Sequence, residues 1–247
     1  MTGMLLRPEE SNKFFSQTEV FFCPEESQFY SHCLDLLVLT NCVSSDVVAE
    51  FGSGDGSPVI SALLRTQFKG LIHGYDLNSA ACKVANTRIE QYKLSSKYVV
   101  HNQSFFEPSH SKADYLIANP PYLPAPDDNI LMPLLHGGSD GAVITKKLLT
   151  LDYQNVLLMI SSYSNPVDTI NHAIDQGYYV ADFMVSPLKF GYYSSEPKVE
   201  QTILELRKHR KAFYSKNIYF LAGVLFQKQH ETAVDLSAEL IQVMTTL

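Results

Sequence analysis

The most chemically loaded stretch of this 247-residue chain is Asn119-Pro120-Pro121-Tyr122, which ends the short apolar run from Asp114 to Ala118. Each proline fixes its own φ near about −65° and holds the residue before it extended, so Asn119 and Pro120 are both kept out of helix. Neither proline carries an N–H, and the corner is therefore rich in acceptors. The Asn119 side-chain oxygen and the Pro120 carbonyl can take both hydrogens of a planar –NH₂ group, with the Tyr122 ring against its face. Amide nitrogens are poor nucleophiles because their lone pair is delocalised; accepting both N–H bonds returns density to the nitrogen. The chemistry this implies is attack by nitrogen. An isolated Pro-Pro pair more often just ends a strand, so the rest of the chain must decide.

Upstream, the apolar run Asp46 to Phe51 enters Gly52-Ser53-Gly54-Asp55-Gly56, and Pro58 opens a helical pattern: strand, glycine turn, helix. Glycines permit positive φ and let a ligand approach the backbone. The spacing is GxGxG, not the GxGxxG of dinucleotide sites, and Glu50 precedes it by two. A carboxylate there repels a pyrophosphate but suits an ammonium or sulfonium group. S-adenosylmethionine carries both; a plain tight turn is the alternative. The run Leu71 to Tyr75 ends at Asp76 and Leu77, with Asn78 placed to cap a helix through about Leu94. An acidic residue at that strand end, twenty residues past Gly56, is placed to accept both ribose hydroxyls of an adenosine, or else to serve as a second cap. A third strand, Tyr98 to His101, leads to Ser104 and Phe105, which could hydrogen-bond an adenine edge and lie along its face. All these residues follow successive strands, so one crevice at the carboxyl edge of a sheet would gather them.

Other elements must hold that crevice in place. Thr18 to Phe22 reads as a short strand, and Pro24 with Glu25 and Glu26 starts a helix to about residue 40 that covers the sheet or caps the pocket. Residues 123 to 140 read as a substrate lid, followed by a helix over 141–150 with Lys146 and Lys147 on a solvated face. Strands are expected at Asn155 to Ile160, Tyr178 to Val185 and Ile218 to Phe226, the last two as an antiparallel pair, with a helix from Asn165-Pro166 to about 176. The basic run Leu206 to Lys211 reads as a solvated helix face before an RNA contact, and Leu236, Leu240, Val243, Met244 and Leu247 form a helical stripe docking on the body or on a second copy. Three segments follow: an extension and capping helix over 1–45, a catalytic domain over 46–230 and an amphipathic helix over 231–247.

Composition narrows the function. A formal net charge of −7 disfavours a broad duplex-DNA footprint. The four cysteines form no CxxC pair and no metal-ligand spacing, so neither a disulfide framework nor a metal site is expected. No apolar run has membrane-spanning length and the amino terminus lacks a signal-peptide core, which makes a reduced, cytoplasmic protein the expectation.

With these motifs in hand, the chain resembles class I S-adenosylmethionine-dependent methyltransferases, and among them the release-factor glutamine methyltransferases of the HemK type. EFGSGDG, YDLN, SFFEP, NPPYLP and HGGSDG stand in that family's order and spacing over roughly residues 46 to 150. The resemblance implies a Rossmann-like α/β fold, a seven-stranded sheet with helices on both faces and a short N-terminal extension. It implies S-adenosylmethionine as cofactor, held by Glu50, Gly52, Ser53, Gly54, Asp55, Gly56, Asp76, Leu77, Ser104, Phe105 and Asn119. Asn119, Pro120, Pro121 and Tyr122 would carry the transfer. The implied acceptor is an exposed glutamine of a protein such as a release factor. NPPY also occurs in enzymes that methylate the amino groups of adenine or cytosine, which keeps RNA, DNA and small-molecule amines open as acceptors; a non-catalytic cofactor-binding protein is the remaining alternative. Three departures stand out. Ser104 replaces a usual acidic residue, Cys23-Pro24-Glu25-Glu26-Ser27 replaces PRPxTE, and only about forty-five residues precede the core.

Overall fold

The computed structural model describes residues 23–107, 113–228 and 234–247, so the strand expected at Thr18 to Phe22 lies outside the described residues. One seven-stranded sheet runs in the order β3-β2-β1-β4-β5-β7-β6. Its strands are β1 (Val47–Phe51), β2 (Leu71–Tyr75), β3 (Tyr98–His101), β4 (Tyr115–Ala118), β5 (Asn155–Ser161), β6 (Tyr178–Lys189) and β7 (Ile218–Lys228). Pairing is parallel from β3 through β5, and β7 is antiparallel to both β5 and β6. Strand order reverses direction between β1 and β4, the position at which open α/β sheets split their flanking helices and form a crevice. This is the expected Rossmann-like sheet with helices on both faces.

The apolar runs are nearly continuous because the central strands are covered on both faces. In β5, Leu157 and Met159 join one buried layer, while Val156, Leu158 and Ile160 join the other. The first layer lies under α1 (Pro24–Cys33), α2 (Ser57–Arg65), α3 (Ser79–Gln91) and α6 (Pro197–Lys208); the second lies under α4 (Val143–Leu149), α5 (Pro166–Asp175) and α7 (Ser237–Met244). The helix anticipated to residue 40 is present in two parts. α1 passes into a wider π-type turn over Leu34–Leu39, whose Leu34, Leu37, Val38 and Leu39 are all buried. Asn78 caps α3 as its side chain suggests, accepting from the N–H groups of Ala80 and Ala81 at 3.0 and 3.2 Å.

One expectation needs revision and two gain detail. The strand anticipated to end at Val185 continues to Lys189 because β7 pairs along its whole length, out to Lys189↔Ile218, and this carries Phe190 to the sheet's ligand edge. Residues 123–140, expected as a substrate lid, line the cavity with Leu123, Met132, Leu134 and Leu135 and are anchored to the body. Leu123, Ala125 and Ile130 are buried, Leu123 bridges His136, and the Gly137 N–H donates to the Leu123 carbonyl at 2.9 Å. The basic run is the expected solvated face: Arg207, Lys208, His209 and Arg210 are exposed, with surface pairs from Lys208 to Glu205 at 2.7 Å and Lys211 to Asp168 at 3.1 Å, and Arg207 lies over the Tyr214 ring. The C-terminal stripe docks on the body, with Leu240 and Met244 fully buried. No helix among the described residues is long and apolar enough to cross a membrane.

Candidate active site

Register explains why the motifs meet. β1 pairs with β2 so that Phe51 faces Tyr75, and with β4 so that Phe51 faces Ala118. The next residues of the three strands, Gly52, Asp76 and Asn119, therefore emerge side by side. They open onto a cavity of about 850 Å³ whose wall includes Gly52, Gly54, Asp76, Leu77, Ser104, Phe105 and Asn119 to Tyr122. Glu50, Ser53, Asp55 and Gly56, expected at the cofactor, are not part of that wall.

The glycine turn is held from below. Gly52, Gly54 and Gly56 all have positive φ, and the Gly52 N–H donates to the Tyr75 carbonyl at 2.9 Å. A Cβ on Gly52 or Gly54 would meet nothing within 4 Å, so open space lies over the turn. Asp55 turns away, accepting from the Ser57 N–H at 2.9 Å and pairing with Arg88 at 2.5 Å. Glu50 shares strand parity with Val48, and its side chain enters the layer beneath α1 to α3, where the Tyr98 hydroxyl donates to it at 2.5 Å. Burial pushes the Glu50 carboxyl up to about 8 against the Tyr98 hydrogen bond, so at neutral pH it keeps its proton. It supports the turn; it does not present a charge to the cavity.

On the cofactor side, Asp76 stands at the rim. Its carboxylate oxygens accept from the Gly54 N–H at 2.7 Å and the Asn78 N–H at 2.8 Å, and each retains a lone pair for a hydroxyl donor. Phe105 is buried edge-on against Phe51 and Tyr75, with its ring forming wall. These residues fit an adenosine, Asp76 its ribose hydroxyls and Phe105 the side of its base.

On the acceptor side, the Asn119 Oδ1 is buried with no hydrogen-bond partner. A buried acceptor left empty costs about 1–3 kcal/mol, which marks Oδ1 as an atom shaped for a ligand. Glycines in HGGSDG let other backbone segments press against this corner. A Cβ on Gly137 would lie 2.7 Å from the Tyr122 Cα, and one on Gly141 would lie 2.5 Å from the Tyr122 carbonyl oxygen. The Ser164 hydroxyl donates to that same carbonyl at 2.7 Å. Asp140 locks the segment by accepting from the Ala142 N–H at 3.0 Å and the Asn165 amide at 2.7 Å.

The structure adds residues that motif reading passed over. Glu26, in the first turn of α1, reaches the cavity, and the Tyr219 hydroxyl donates to its carboxyl at 3.1 Å. Tyr163, Phe190, Tyr192 and Tyr219 complete an aromatic wall contributed from beyond β5. Only Glu26 left a trace in the sequence, as the Pro-Glu-Glu-Ser that stands where PRPxTE is usual. Cys23 also lines the cavity, but burial pushes its thiol up to about 12 and makes it a weak nucleophile. Among the described residues no cluster of three His, Cys, Asp or Glu side chains is placed to hold a metal.

The model of the methyltransferase small domain matches residues 14–139, half of the chain. The chain belongs to that family. As a small-domain methyltransferase it uses S-adenosylmethionine, which the residues at the ends of β1 and β2 fit. It is 29% identical over 119 residues to the release factor glutamine methyltransferase of Gloeobacter violaceus, covering 44% of this chain and 41% of that one. It is 30% identical over 112 residues to the enzyme of the same name from Thermosynechococcus vestitus, covering 40% and 38%. The chain thus spans about two fifths of the length of these curated relatives. Among solved structures, PH1948 of Pyrococcus horikoshii, provisionally described as an RNA methyltransferase, superposes with a TM-score of 0.56 at 14% identity over 86% of this chain and 87% of that one. This likeness establishes the fold.

Proposed function

We propose that this methyltransferase transfers the methyl group to a planar nitrogen, most specifically the side-chain amide of a protein glutamine. The observation that carries the reading is Asn119 on the wall shared with the glycine turn and Asp76, its Oδ1 buried without a hydrogen-bond partner. When bound, S-adenosylmethionine supplies an electrophilic methyl on sulfonium. Gly52, Gly54, Asp76 and Phe105 hold it, Asn119 Oδ1 and the Pro120 carbonyl accept the acceptor's two N–H groups, and Tyr122 with Pro121 shapes the corner. Catalysis is then alignment and hydrogen-bond acceptance, and the proton on the methylated nitrogen is acidic enough to leave without a strong base. The glutamine methyltransferase relatives support the acceptor class.

The aromatic wall of Tyr163, Phe190, Tyr192 and Tyr219 favours a second reading, an exocyclic amine on a flat nucleobase. One experiment separates the two: methyl-labelled cofactor is incubated with unmodified release factors, and with cell extract before and after nuclease treatment. Label recovered as N-methylglutamine after enzymatic digestion supports the first reading; label lost with nuclease overturns it in favour of the second.

A further inference from the structure

We infer that Glu26 is a positioning residue for the acceptor corner, its carboxylate drawing the Nδ2–H end of Asn119 toward itself so that Oδ1 faces the acceptor nitrogen. The inference rests on the reading of Asn119 given above. The two ends of an asparagine amide are nearly identical in shape, and the surrounding dipoles alone decide which one points into a site. Turned the wrong way, Asn119 would offer a donor to a donor. A carboxylate attracts the –NH₂ end and repels the oxygen, so one nearby charge settles the orientation.

Glu26 is placed for this role. Its carboxyl lies in the cavity wall with Asn119 and Tyr122, and the Tyr219 hydroxyl pins it from β7 at 3.1 Å. Burial pushes its pKa up, and the neighbouring Tyr122 and Tyr219 hydroxyls, Cys23 and the Asn119 amide pull against that push without overcoming it. Asn119 Oδ1 has no partner, as it would if the other end of the amide were the one engaged. The groups facing the carboxyl are Cys23 and Glu25 from its own turn, Asn119 and Tyr122 from the corner, Tyr163 after β5 and Tyr219 on β7. None is a cation, so no ion pair holds the carboxyl ionised, and it takes up its charge, and with it its full pull on the Asn119 dipole, only above the ordinary glutamate range.

The test has two arms. In the full chain labelled with ¹⁵N, the Asn119 side-chain amide signal, assigned by its loss in Asn119→Asp, is followed against pH. In the wild type it shifts along one titration curve with a midpoint above that of an ordinary glutamate, and in Glu26→Gln it does not shift. A signal indifferent to pH in the wild type, or an unchanged titration in Glu26→Gln, overturns the inference whatever the acceptor is. In the second arm, with a release factor as substrate, Glu26→Gln lowers kcat at least tenfold, leaves cofactor Kd within twofold and removes the acid limb of the kcat profile. Glu26→Asp restores part of the rate. Wild-type kcat with an intact acid limb in Glu26→Gln overturns the positioning role. Should the amide titrate with Glu26 while no nitrogen acceptor is methylated, the coupling stands and the proposed acceptor falls.

Discussion

Gly141→Ala is the perturbation that asks whether HGGSDG serves the corner or merely a turn. Gly141 has φ +76°, and an added Cβ would stand 2.5 Å from the Tyr122 carbonyl oxygen and 2.7 Å from the Ser164 Cβ. Left-handed backbone costs an L-residue about 1–2 kcal/mol, and forcing a methyl into packed surroundings costs about 1–3 kcal/mol more, so Gly141→Ala should lose roughly 2–5 kcal/mol. The clash cannot be relieved by a flexible side chain, because one partner is backbone and the other is the Cβ of a serine that itself bonds the same carbonyl. The corner must move instead. A displacement on the order of 1 Å costs about a hundredfold in rate. Gly177→Ala is the matched control, since Gly177 has φ +80° and a Cβ there would meet nothing within 4 Å. It should lose only about 1–2 kcal/mol for the backbone and keep wild-type turnover. Urea midpoints give the stabilities and methyl incorporation gives kcat. If the two variants match in both, the close approach to Tyr122 has no functional weight and the buttress argument fails.

Three further outcomes follow from the site. Glu50 releases its proton at about 8 in the folded chain against an ordinary value of 4.5, so the native state holds a proton that the unfolded chain has shed. Its contribution is fully present below the lower value and declines by up to about 1.4 kcal/mol per pH unit through that window; Glu50→Gln should flatten the fall in urea stability and overtake wild type near the upper end, and parallel curves would contradict it. Asn119→Ala should cut turnover on the order of a hundredfold or more while calorimetric cofactor affinity stays within about tenfold, roughly 1.4 kcal/mol. Asp76→Ala removes charge-assisted hydrogen bonds of about 1.5–3 kcal/mol and should weaken cofactor binding by roughly ten- to a hundredfold, read by the same titration.

What could be read in the sequence, and what could not, divides along a physical line. Strand, glycine turn and capped helix are local patterns, and the apolar runs of β1 to β5, the Asn78 cap and the Asn119 corner all sit where local chemistry puts them. Period and spacing cannot say which face of a strand a particular residue takes until its neighbours are known. Glu50 illustrates the limit: one step along β1 from Phe51, which lines the cavity, it falls on the opposite face and becomes a neutral support for the turn. The aromatic wall was illegible for another reason. Tyr163, Phe190 and Tyr219 are brought together by the antiparallel insertion of β7 between β5 and β6, and no short-range pattern encodes that neighbourhood.

The same insertion ties the two ends of the argument together. Tyr219 lies on β7, Glu26 lies nearly two hundred residues earlier, and their hydrogen bond closes the first turn of α1 over the corner at the end of β4. The glycine turn and Asp76 depend on β1, β2 and β3, so cofactor binding should survive changes in this late part of the chain. The acceptor corner does not share that independence, because it is pressed by Gly137 and Gly141, bonded by Ser164 and faced by a carboxyl anchored on β7. Substitutions around β7 should therefore separate affinity for the cofactor from transfer to the acceptor.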